Sequence, residues 1–138
     1  MTRATKLAAE IAVPDTPAMR RFAALAETDQ QYAAAYYLFT CLRWPEKRRA
    51  VFGYVIEYGI DKAGLLKAIR PWSHGEQILV KVALDLFDPG CVKALRHKPA
   101  GFGEAVNVLD DEHIDEIITA IRIARGEIRF TPTSPEAA

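Results

Sequence analysis

The chain has 138 residues and a mass of 15.4 kDa, the size of one domain. Half of its residues are apolar and 26% are charged, a globular make-up that excludes an intrinsically disordered chain. Eighteen basic residues balance eighteen acidic ones, so composition excludes a generally basic nucleic-acid coat protein.

The first fifteen residues have no strong pattern; a short helix over 6–12 would be stopped by Pro14. Thr16-Pro17 is the first firm signal, an N-cap followed by proline at the first helical position. Met19, Phe22, Leu25 and Ala26 then fall at helical spacing. Thr28 and Gln31 form a capping-box pattern that predicts a second helix through Tyr32, Tyr36, Phe39 and Leu42. Trp44-Pro45 ends it and opens a third, predicted over Glu46 to Tyr58 with Gly59 as its stop. Asp61 is placed to cap a short helix carrying Leu65, Leu66 and Ile69, which Pro71 closes.

Ser73-His74-Gly75-Glu76 is a second capping box and opens the most apolar helix, Ile78 to Phe87. Asp88-Pro89-Gly90 is a turn signature. A short helix around Cys91 to Arg96, a loop at Gly101-Phe102-Gly103 and two helical turns over Glu104 to Leu109 follow. Asp110 or Asp111 caps a last helix with Ile114, Ile117, Ile118, Ile121 and Ala124 on one face, and Gly126 stops it. The predicted fold class is all-α, a single-domain bundle of six to eight helices with short turns. Residues 1–15 read as a partly ordered arm, 16–127 as the helical domain and 128–138 as a flexible tail.

Cys41 and Cys91 stand fifty positions apart without metal-type spacing, and are predicted to be reduced, buried thiols. The longest apolar stretch, Tyr32 to Leu42, falls short of the roughly 18 residues of a membrane span. Near the N-terminus, Glu10 interrupts what would have to be the apolar core of a signal peptide. The expected location is therefore the cytoplasm, with no membrane partner.

On the central helix His74, Gln77, Lys81, Asp85 and Asp88 are spaced 3, 4, 4 and 3, so they form one narrow polar stripe on an otherwise apolar element. It reads as a solvent-facing strip or as the lining of a groove. His113 and Glu116 share a helix face and could supply two metal ligands, but no further His or Cys cluster completes a set. No metal, no cofactor and no catalytic residue is therefore assigned, although an enzyme of unknown type remains an alternative.

Val55, Gly59, Ile60, Leu65 and Ala68 or Ile69 stand at a spacing that resembles a helix-turn-helix unit over residues 55–70. The resemblance implies a tight turn at Gly59 and a second helix offering Lys62, Lys67 and Arg70 to DNA. Charge is also unevenly spread. Leu42 to Arg70 holds seven basic and three acidic residues, and Gly101 to Ala138 three basic and eight acidic. Arg43, Lys47, Arg48 and Arg49 form the densest basic block. The sequence therefore points first to a non-catalytic helical protein that binds a macromolecular partner, a protein, through charged surfaces. DNA binding is the alternative, with nucleic acid as partner.

Overall fold

A computed structural model describes residues 14–132. The short helix expected over 6–12 and the end of the tail lie outside these residues. The described part is an all-α bundle of eight helices with one two-stranded hairpin. In chain order these are α1 (Pro17–Ala26), α2 (Gln30–Thr40), α3 (Pro45–Phe52), β1 (Val55–Ile56), β2 (Gly59–Ile60), α4 (Lys62–Ala68), α5 (His74–Phe87), α6 (Cys91–Ala94), α7 (Phe102–Val108) and α8 (Asp111–Ala124).

Helix starts follow local chemistry. Thr16 accepts from the Met19 N–H at 3.1 Å with Pro17 behind it, Asp61 from Gly64, and Asp110 from His113 at 2.9 Å. Ser73 and Glu76 form the reciprocal capping box that opens α5. At α2 the cap is Asp29 rather than Thr28. Its carboxylate takes the N–H groups of Gln31 and Tyr32, which a threonine hydroxyl one residue earlier does not.

The axis of the bundle is α2, not the more apolar α5. Every residue from Ala33 to Leu42 is buried, because α1, α3, α5 and α8 all pack against this helix. Ala33, Ala34 and Ala35 let neighbouring backbones approach closely, and Tyr36, Tyr37, Leu38 and Phe39 fill the spaces beyond them. On α5 burial is partial: Ile78, Leu79, Val80, Ala83 and Leu84 are sealed, whereas Val82, Leu86 and Phe87 keep some exposure.

The packed body extends past residue 127. Phe130 is 3% exposed and lies against Tyr36 and Tyr37, with ring centroids 5.8 and 5.7 Å away. An aromatic residue finds a place in the core there, so the chain after Gly126 is tied down at least that far. Cys41 and Cys91 are free and buried, as the sequence predicts, and no described helix is long and apolar enough to cross a membrane.

Candidate functional site

The basic block is largely engaged within the molecule. Arg43, just beyond α2, donates to the Asp110 carboxylate and lies 3.8 Å from Glu112. The bond to Asp110 is the main reason the Arg43 guanidinium is held above its ordinary value. Lys47 places its ammonium 2.7 Å from both oxygens of Glu76 and 5.4 Å from the centre of the Trp72 ring. Arg48 donates to the Leu42 carbonyl. Arg49 is exposed and makes no ion pair among the described residues. Basic and acidic segments that are far apart in sequence thus meet in space, where they partly cancel.

The helix-turn-helix spacing is not realised as two helices meeting at Gly59. The predicted helix over 46–58 ends at Phe52, where Gly53 caps it, and Val55–Ile60 folds back as a hairpin with Val55 opposite Ile60. Branched Val55, Ile56 and Ile60 suit a strand, and Gly59 adopts φ +141°, a conformation disfavoured for other residues. Lys62 is held 2.9 Å from Asp88 and lies over Phe87. Lys67 and Arg70 are exposed without ion pairs among the described residues. Of the three cations offered to DNA, Lys62 and Lys67 therefore sit on a seven-residue helix behind a hairpin, and Arg70 lies beyond its end.

The polar stripe of α5 is mostly a seam between elements. His74 Nε2 is 3.3 Å from Glu104 of α7. The Gln77 amide donates to the carbonyls of Arg70 and Trp72, which fixes the connection from α4. Asp88 takes Lys62. Lys81 and Asp85 are half-buried, and Asp85 Oδ1 is sealed from water without a hydrogen-bond partner among the described residues.

Among the clefts on the described surface, two adjoin the basic block or the polar stripe. The larger, about 480 Å³, lies where the α2–α3 turn, the start of α5 and the α7–α8 junction meet, with Trp44, Lys47, Glu76, Leu109 and His113 in its wall. Its charged groups already have partners: Lys47 and Glu76 each other, Arg43 the Asp110 carboxylate and His113 the Glu116 carboxylate. Burial pushes the Glu76 carboxyl up, but hydrogen bonds from Lys47 and Ser73 outweigh this and leave it below its ordinary value. At Asp110 the His113 backbone N–H lowers the carboxyl first and Arg43 adds to it. His113 and Glu116 share a face as the sequence predicts. Nδ1 is 2.7 Å from the Glu116 carboxylate, which is 2% exposed, so Glu116 is a buried acid with its own partner. No group of three or more His, Cys, Asp or Glu among the described residues is placed to hold a metal.

The smaller cleft, about 220 Å³, runs between α5, α7 and α8. Val82, Leu86, Ala105, Ile117 and Ile121 make it apolar, and Asp85 stands in its wall. Phe102 lines it with 87% of its surface exposed; Val106 one turn on along α7 and Ile118 on α8, 70% and 45% exposed, lie outside its lining. Sequence reading missed this face by treating Gly101-Phe102-Gly103 as a loop. In fact α7 begins at Phe102. The available signal was Phe102, Ala105, Val106 and Leu109, spaced 3, 1 and 3 along one helical face.

Comparison with protein-family models, curated proteins and solved structures finds no match to this chain.

Proposed function

We propose that the protein is a non-catalytic module that binds a protein partner, and that it does so on the α7–α8 face. The carrying observation is Phe102, a large aromatic side chain left almost wholly in water above an apolar cleft. Clustered exposed apolar groups with a charged surround mark protein interaction surfaces. The basic block supports docking less well, because Arg43, Lys47 and Arg48 already have internal partners. The larger cleft supports binding of a small molecule less well for the same reason. Two buried, free thiols fit a cytoplasmic setting.

The test is photo-crosslinking in source cells, with a benzoyl-phenylalanine at position 102 in one variant and at position 49 in another. The expected outcome is one discrete adduct from position 102 that disappears when Val106→Asp is added. An adduct from position 49 alone, or one from position 102 that survives Val106→Asp, overturns the assignment of this face.

A further inference from the structure

We infer that the cleft between α5, α7 and α8 takes the apolar face of a basic amphipathic helix from the partner, with a lysine or arginine of that helix set against Asp85. This rests on the docking face proposed above and adds the chemistry of its occupant.

Size selects the occupant first. A cleft of about 220 Å³ is smaller than the roughly 300–1,000 Å³ of small-molecule sites, but it holds one or two large side chains anchored from a longer segment. The walls select an apolar anchor. Phe102 and Ala105 of α7 and Ile117 and Ile121 of α8 line it, so two helices flank the opening. That is the setting into which an amphipathic helix lays its apolar stripe.

Charge selects the sign. Asp85 stands in the cleft wall, one of its carboxylate oxygens lacks a hydrogen-bond partner, and no ion pair to it forms among the described residues. Lys81, one turn earlier on α5, makes no ion pair among the described residues, and Lys62 is held by Asp88. The flank adds to the bias. Of the six acidic side chains in residues 101–125, Glu104, Asp110, Glu112 and Glu116 have partners within the chain. Asp111 and Asp115, two turns and one turn before Ile118, are exposed without ion pairs among the described residues. At the other end Arg122 follows Ile118 by one turn, and Arg125 is taken by Glu127. An apolar cleft with an unmet carboxylate and an acidic approach favours a cationic apolar segment over an anionic one.

The probe is a fluorescent Leu–Lys amphipathic helical peptide, titrated with the full-length chain and compared with a Leu–Glu peptide of the same apolar face. Saturable binding of the Leu–Lys peptide is expected, with the Leu–Glu peptide much weaker. Asp85→Asn is expected to weaken the Leu–Lys peptide roughly tenfold. Glu57→Gln, which removes an exposed acid on the hairpin, is expected to leave it unchanged. The melting temperature of Asp85→Asn is expected to hold or rise, since no donor is lost. The inference is overturned if the Leu–Lys peptide does not bind, if both peptides bind equally, if Asp85→Asn has no effect, or if that variant melts lower. In those cases the crosslink at position 102 still decides the docking face separately. If Leu–Lys binding survives Val106→Asp, both the inference and the docking face fall.

Discussion

Lys47 and Glu76 join α3 to α5 through an ammonium placed 2.7 Å from each carboxylate oxygen, with the Trp72 ring beside it. The side chains are 25% and 13% exposed, so the pair lies between a surface contact and a buried one. Exposed pairs contribute at most about 1 kcal/mol, whereas breaking a buried one costs about 3–5 kcal/mol.

Lys47→Met should therefore destabilise the fold by about 2 kcal/mol near neutral pH. The Glu76 carboxyl is lower in the folded state than in the unfolded chain. Its contribution is fully present above the unfolded value and is lost as pH falls through the folded one. Urea unfolding of wild type and Lys47→Met across the acid range should show the two curves converging as pH drops. A gap that stays constant to the lowest pH would show that the lysine acts through packing on Trp72 alone.

Leu84 has no exposed surface and lies on the buried side of α5. Leu84→Ala should cost about 2–5 kcal/mol, read as a shifted urea midpoint with an unchanged slope.

Gly59 adopts φ +141°, and a Cβ there would meet Phe87 Cζ at 3.3 Å. Gly59→Ala should lose about 1–3 kcal/mol through backbone strain and crowding of that ring. The same substitution at exposed Gly103, where a Cβ meets nothing within 4 Å, is the matched control in thermal melts.

Arg48 and Arg49 are neighbours in sequence with different surroundings. Arg48→Glu removes a donor from the Leu42 carbonyl and should cost about 1–3 kcal/mol. Arg49→Glu should stay within about 0.5 kcal/mol and leave Leu–Lys peptide binding unchanged.

The helical class and most helix ends were legible because their determinants are local. Thr16-Pro17, Ser73 with Glu76 and Asp110 before His113 each satisfy nearby backbone groups, whatever the rest of the chain does. The hairpin at Val55–Ile60 was not legible, since Val51, Tyr54, Val55 and Tyr58 also fit a helical stripe and only tertiary packing separates the two readings. The central place of α2 was hidden for a similar reason. Hydropathy ranks α5 higher, but alanine size and the number of neighbours decide which helix is enclosed. Charge patterning along the chain reports only local sequence, and the pairing of Arg43 with Asp110 depends on a fold that joins residues 67 apart. The α7 face went unseen because two glycines around Phe102 read as a loop.

Phe130 also sets an order of events during synthesis. Its partners Tyr36 and Tyr37 leave the ribosome more than ninety residues earlier. At about 5–20 residues per second, α2 waits roughly 5–20 seconds for its last aromatic neighbour. Throughout that interval α2 stands with at least one side uncovered. A chaperone that recognises nascent aromatic segments would therefore find its longest opportunity at Tyr36 and Tyr37, and would be displaced by the arrival of residue 130.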